Sequence, residues 1–565
     1  MGIRTRFRPL GGQSEYQDII EHKITIDILK LSSDPRNLPF TMPIVSGNYD
    51  GIFKGYNEWY IDWGYGEPID RYTTNSFRSE IKHTYTYNPL KGNEVVIRFY
   101  KYINSRNFTD KNFPGWKINS SVQNALIALT PFPHLKVPSW TSQSGSNILK
   151  NCKNLKTIPE DLFINNPEWT SFSNAFAGTG LTEIPEGIFK YNTNATDFNH
   201  VLAFTASLSS IPKDLFANNP EALYFNDAFR NTVMKTVPSD LFANNKKAIH
   251  FYNLFYSGQI EEVPVGLFND LPNATRFDSC FAGCTSLTTL QDSLWINCPK
   301  AKTLQSCFAE CTSLQEVPTG IFNGLTGPVS FELVFANCTS LTTLHDNLFK
   351  HCTEATSINS CFAGCTSLTT LPEHLFDGLQ NATNATAAFS NCSNLSSLPD
   401  KLFNDCISIT DFGSCFSNCS SLTTLPGNLF SKAINASNFN SCFEHCKNLT
   451  TLPTGLFNSN KDISDLSSCF SGCINLTMNP DLFGGNTSLV KITDKGKVNS
   501  FFAMPDYDNR FKGIAGEAPP MWNFVYGSGF DITKNNNCFN RTKLALTNWD
   551  AIPSNWKHTT IIDKE

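Results

Sequence analysis

The sequence predicts an α/β repeat solenoid, a stack of short coils with a β-sandwich ahead of it and a capping segment after it. Two marching aromatic positions and a skewed composition carry that prediction. A Phe, once a Trp, closes a Leu-Phe or Ile-Phe pair at Phe163, Phe189, Phe216, Phe242, Phe268, Trp295, Phe322, Phe349, Phe376, Phe403, Phe430, Phe457 and Phe483, each 26 or 27 residues after the last. A second Phe recurs at Phe281, Phe308, Phe335, Phe362, Phe389, Phe416, Phe443 and Phe470, at an interval of 27 throughout. Phe reaches 46 copies while only 17% of residues are charged, a bias that arises when one residue recurs at one structural position.

A stretch of 27 residues cannot close a core alone, but stacked copies bury one another's Leu and Phe in continuous columns. The clearest copy runs Cys361-Phe362-Ala363-Gly364-Cys365-Thr366-Ser367-Leu368-Thr369-Thr370-Leu371-Pro372, then Leu375-Phe376. Its Leu-Thr-Thr-Leu-Pro segment is short, β-branched and stopped by Pro, so it is expected to form the strand of each coil in a parallel sheet. Helical or 3₁₀ turns are expected at Leu-Phe and Cys-Phe. The copies from about Cys152 to Ile260 lose the Cys pair and vary in spacing, at Ala203-Phe204, Ala228-Phe229 and Leu254-Phe255. The expected solenoid spans 126–495.

Residues 1–125 do not repeat. Lys23 to Leu31 alternates like a strand, Trp59 to Gly66 reads as a strand entering a glycine turn, and His83 to Tyr87 and Glu94 to Tyr100 read as further strands. The segment 496–565 holds Gly513 to Trp522, Cys538-Phe539, and Ile552 to Trp556. Its Cys-Phe is a degenerate copy of the repeat, and its Pro and Trp residues suit a lid over the last coil, which a solenoid requires.

The pattern Phe-x-x-Cys-x-x-Leu-x-x-Leu-Pro resembles the leucine-rich repeats of the BspA-like, Treponema-type family of bacterial and protist surface proteins, over roughly residues 140–495. Family units are usually somewhat shorter. The resemblance implies a leucine-rich-repeat-type stack and attachment at an exposed surface, and it names no ligand. The N-terminal segment resembles a PKD-type, immunoglobulin-like sandwich, whose aromatic-x-Gly-Asp-Gly turn has Tyr65 in place of the Asp here. Such modules imply spacers or docking units.

The cysteines are the most prominent chemistry. Six pairs sit four apart, Cys280/Cys284, Cys307/Cys311, Cys361/Cys365, Cys415/Cys419, Cys442/Cys446 and Cys469/Cys473, and Cys298, Cys352 and Cys406 recur at twice the unit. A zinc site needs four ligands converging on one point, whereas repetition builds a column, so packing is favoured over disulfides and over metal. The total of 19 is odd, which excludes complete pairing within one chain. His345, His351 and His445 fall at variable places in the repeat and read as solvated loop residues, and Asp62 and Asp70 as turn formers rather than an acid pair or Ca²⁺ ligands. No His-Glu-x-x-His, Walker A or Gly-x-Ser-x-Gly motif is present.

The Thr pairs Thr342/Thr343, Thr369/Thr370, Thr423/Thr424 and Thr450/Thr451 form the candidate binding ladder, against the simpler explanation that Thr suits a half-exposed strand. No catalytic residue, metal or cofactor is expected. A charge of -6 disfavours nucleic acid, and no window is apolar enough to span a membrane. Met1 to Arg8 is basic without a following apolar run, so no secretory signal peptide is expected. Surface-type modules without an export label suggest a bacteriophage virion component, a fibre, spike or capsid decoration. It would dock to other virion proteins through residues 1–125 and meet a host-surface protein or glycan through the solenoid. The alternative is a bacterial or protist cell-surface adhesin. An enzyme hidden in the terminal segments is a distant third reading, and homo-oligomerisation stays open.

Overall fold

The computed structural model describes residues 144–484 except 328, and outside them the segments 20–27, 38–43, 58–62, 69–73, 80–85, 94–102, 113–114, 126–129, 135–136, 491–497, 515–521, 525–526 and 547–556. The chain divides into two units, Met1–Thr193 and Asn194–Glu565.

In the first unit, β1 (Ile20–Asp27), β3 (Glu58–Asp62), β4 (Ile69–Thr73), β6 (Glu94–Tyr102) and β8 (Leu126–Leu129) form one sheet in the order β4-β3-β6-β1-β8. The pairings are antiparallel. A second antiparallel pair joins β2 (Leu38–Pro43) to β5 (Glu80–Tyr85), and β7 (Phe113–Pro114) meets β9 (Leu135–Lys136). The four strands expected from alternation are the cores of β1, β3, β5 and β6, and the sheet takes in β8, beyond residue 125. Asp62 ends β3 and Asp70 lies in β4, so both sit in strands rather than in the turn expected of them. Two coils complete the unit. Ser144 bridges Ser171 in parallel, Phe163 stacks on Phe189 with ring centroids 5.9 Å apart, and Trp169 is buried beside them.

The second unit is a stack of coils held by parallel backbone bridges. The longest row runs Asp197, Tyr224, His250, Arg276, Thr303, Ser330, Ser357, Asn384, Asp411, Asn438, Asp465. Each bridging residue immediately precedes the Phe, Leu, Ile or Ala that opens the next turn, so this row, not Leu-Thr-Thr-Leu-Pro, is the more continuous one. The Thr segment carries only isolated bridges, Glu262 to Thr289, Glu316 to Thr343 and Thr451 to Thr477. The expected strand there is thus reduced to single bridging residues.

The expected helical turns are also corrected. In Phe277 to Cys284, the amides of Phe277, Ser279, Phe281 and Gly283 donate to carbonyls of the next coil at 2.8–3.1 Å. Those of Cys280, Ala282 and Cys284 donate three residues back, at 3.0–3.3 Å. Alternation of this kind satisfies the backbone without a helix. Its cause is a left-handed residue at every fourth position, here Ser279 (φ 52) and Gly283 (φ 72), which stops each turn after one i to i+3 bond. No α-helix occurs in the described part of 144–484, so the α half of the expected α/β class is replaced by turns.

Inside, three aromatic columns interdigitate. The Leu-Phe ring stacks coil on coil, as at Phe430–Phe457 (5.9 Å), and the Cys-Phe ring likewise, as at Phe416–Phe443 (5.5 Å). A third column, Phe198, Phe225, Phe251 and Phe277, stacks at 5.5–5.7 Å and meets the first edge-on, as at Phe216–Phe225 (4.9 Å). Buried Leu residues such as Leu368, Leu395 and Leu422 line the opposite wall.

Both bridge rows continue beyond the last repeat. β10 (Asp462–Asp465), β12 (Lys491–Lys497) and β14 (Val525–Tyr526) pair in parallel, and β11 (Thr477–Met478) pairs with β13 (Ala515–Gly516). The amide of Thr547 then donates to Gly516 O at 3.0 Å. Ala518, Met521, Ile552 and Trp556 are buried among these segments, and Cys538-Phe539 lies outside the described residues.

Candidate binding face

The thiols are packing groups that also serve the backbone. Cys284, Cys311, Cys338, Cys365, Cys392, Cys419, Cys446 and Cys473 each donate S–H to the carbonyl of a Phe in the preceding coil, at 3.1–3.3 Å. All eighteen cysteines from Cys152 to Cys473 are buried and unpaired. Burial pushes the thiols of Cys284, Cys338 and Cys392 up to about 12. In the early coils Thr179 and Thr232 take the repeat position that Cys holds later, each hydroxyl donating to a carbonyl three residues back at 2.8–2.9 Å, which explains why those coils dispense with Cys there. Buried Asn192, Asn245 and Asn460 take the repeat position that Cys298, Cys352 and Cys406 hold in other copies, their amides donating to carbonyls of earlier coils.

The sequence-predicted Thr residues all lie exposed, in register from coil to coil. In three of the four pairs the two members have different work. The first donates its hydroxyl to the carbonyl one coil earlier that also takes its amide, Thr342 to Gln315, Thr423 to Ser396 and Thr450 to Thr423 at 3.2–3.4 Å. Its role is therefore structural. The second, Thr343, Thr370, Thr424 and Thr451, remains outward on the exposed side of the coil. Thr383 and Thr410 repeat the device beside the other bridge row, donating to the Thr356 and Thr383 carbonyls.

A second outward patch was not singled out from the sequence. It lies where the long bridge row abandons small residues, in 197–283. The Arg230 guanidinium carbon lies 4.5 Å from the centroid of the Tyr256 ring and 5.7 Å from that of Phe204, and Phe204 is 47% exposed. Asp227, only 2% exposed, takes Arg230 at 3.1 Å and faces His200 at 3.5 Å. Next to it Arg276 lies over Tyr252 (5.1 Å) and pairs with Asp278 (2.8 Å), which accepts the Thr303 hydroxyl (2.5 Å). Tyr224 and His250 are bridge partners with rings 5.5 Å apart. Desolvation, then Arg276, holds His250 below its ordinary value against the opposing pull of Asp278. The signal was present as departures from the repeat: where later copies have Ala282, Ala309 and Ala336, these coils have Arg230 and Tyr256.

The histidines are dispersed. His345 meets Glu316 at 2.7 Å, His374 meets Asp377 at 2.9 Å, and His445 lies beside Glu444 at 4.0 Å. Among the described residues no cluster of three or more His, Cys, Asp or Glu is placed to hold a metal, and no helix is long and apolar enough to cross a membrane.

No family model matches the chain, and no curated protein does. Solved structures do. The chain is similar to Toll in its complex with Spatzle from Drosophila, at 16% identity over 70% of this chain and 56% of that one, with a TM-score of 0.28. It is similar to a leucine rich cell surface protein from Faecalibacterium prausnitzii A2-165, at 17% over 57% and 95%, with a TM-score of 0.25. The TLR13–ssRNA13 complex matches at 14% over 75% and 84%, with a TM-score of 0.24. The chain thus spans about 56% of the Toll chain. Likenesses this distant carry no argument about function, and the stacked-coil architecture rests on its bridge rows and ring columns.

Proposed function

We propose that this chain is a non-enzymatic attachment protein whose coils present a binding surface. The observation that carries the reading is the division of labour within each coil. Phe, Leu and Cys are consumed by the core, while two rows of polar side chains are held outward in fixed register and are not needed for packing. Surfaces of that kind suit recognition of extended partners. In this reading the coils are BspA-like, and residues 1–125 form a PKD-like sandwich that docks the chain to its carrier.

The carrier we propose is a bacteriophage virion, with the chain as a fibre, spike or capsid decoration that meets a host-surface protein or glycan. Eighteen buried, unpaired thiols fit a chain folded in a reducing cytoplasm and exposed afterwards. The repeat motif favours a second reading, a cell-surface adhesin. Immunogold electron microscopy of lysates from the native host distinguishes them: label on particles supports the virion, and label confined to cell envelopes replaces it with the adhesin. Turnover of a polysaccharide by the purified chain would overturn the non-enzymatic reading altogether.

A further inference from the structure

We infer that the patch in 197–283 is a subsite for an uncharged oligosaccharide, with Phe204, Tyr252 and Tyr256 as stacking platforms and Arg230 and Arg276 as hydrogen-bonding edges. This rests on the reading of the coils as a binding surface and assigns that surface a place and a ligand class.

Charge balance is the first argument. Each guanidinium already has its own carboxylate, Arg230 with Asp227 and Arg276 with Asp278. Recognition of phosphate, sulfate or carboxylate calls for an uncommitted cation offering a bidentate fork. Here the cations are neutralised where they stand, and an anionic ligand would have to displace a carboxylate that is itself buried, Asp227 or Asp278. His250 beside them is kept toward its neutral form.

The second argument is the kind of surface that remains. Each Arg lies against a ring, so one wall of the patch is apolar and flat while its rim bears the N–H donors of Arg230 and Arg276. A pyranose offers the matching pair, a C–H face for an aromatic ring and a circumference of hydroxyls for directional hydrogen bonds. The surface is also bounded. Past Tyr256 the same row continues as Ala282, Ala309 and Ala336, which cluster against one another and offer neither ring nor edge. A protein partner large enough for a stable interface would extend over those coils, whereas a short glycan fits the stretch from Phe204 to Arg276.

The test uses the full chain on an immobilised panel of uncharged hexose and N-acetylhexosamine oligosaccharides, with their sialylated and sulfated counterparts. Saturable binding to uncharged members is expected, changing little between low and high salt. Tyr252→Ala and Phe204→Ala are expected to weaken it about tenfold or more, and Ile434→Ser, at a 61% exposed position outside both rows, to leave it unchanged. Circular dichroism melts of each variant separate lost contact from lost fold, and Arg276→Lys, which keeps charge and stem, supplies a milder variant. Binding confined to acidic glycans, or none to any uncharged member, overturns the inference. Should a host-surface protein still be bound in that case, the attachment reading stands without the subsite; should nothing be bound, both fall.

Discussion

Buried thiols give single residues a measurable signature. Unfolded, the cysteines ionise near 9.0; folded, Cys284, Cys338 and Cys392 hold their protons to about 12. The folded state therefore keeps protons that the unfolded state releases, so the stability they contribute is complete below pH 9 and declines as pH rises from 9 toward 12. We expect urea midpoints to be level from about pH 7 to 8.5 and to fall above that, and iodoacetamide to label Cys284 through Cys473 only after urea is added. A midpoint that rises with pH would contradict the burial. Ring and glycine positions are as specific. Phe362→Ala should cost about 3–5 kcal/mol by leaving a hole in two neighbouring stacks, whereas outward Thr370→Val should stay within about 0.5 kcal/mol of the parent. Gly378 sits at φ 92, where an added Cβ would lie 2.5 Å from Lys350 O, so Gly378→Ala should be destabilising by at least about 1–3 kcal/mol in thermal melts. Two of the three aromatic columns were legible as unbroken spacing. The third escaped notice because Leu304, Ile358 and Ala385 interrupt it, apolar residues that fill the same slot with different letters.

At the scale of the coil, the period was readable and the local conformation was not. Leucine and Phe spacing sets where chain must return to the core, but it is silent on how the chain gets there. The decisive residues are Ser279, Ser306, Ser360 and Ser414, ordinary serines held at positive φ, a conformation that composition does not advertise. They divert alternate amides to the next coil and so replace the helices that Cys-Phe and Leu-Phe suggested. Likewise Leu-Thr-Thr-Leu-Pro has strand composition, yet the longer bridge row formed at variable positions such as Arg276 and Asn384, where no sequence preference pointed. Because each coil bonds only to its neighbours, deleting 363–389, one full period of 27, should leave a folded protein with joined columns. Deleting about half a period should not. Hydrogen exchange on the two deletions would decide, with protection retained in the first and lost around the junction in the second.

For the whole molecule, the sequence separated non-repeating ends from a repeating middle, and the bridge rows then ran past Phe483 into β12 and β13. Those strands lack the Phe and Cys signature, so nothing periodic announced them. Truncation after residue 484 would leave the outer edges of β10 and β11 without partners, and we expect such a chain to self-associate in light scattering at concentrations where the full chain does not. The Thr ladder was legible as repetition, while the Arg and Tyr patch was not, since averaging over copies removes what makes one copy different. That difference has a consequence for any ligand. Along the coils that repeat the outward Thr, one position resembles the next, so a polymer held there would have little preferred address. The stretch around Arg230 and Arg276 breaks that degeneracy. On the proposed reading of the coils as a binding surface, it would be the zero mark on an otherwise unnumbered scale, setting where along the stack a partner comes to rest.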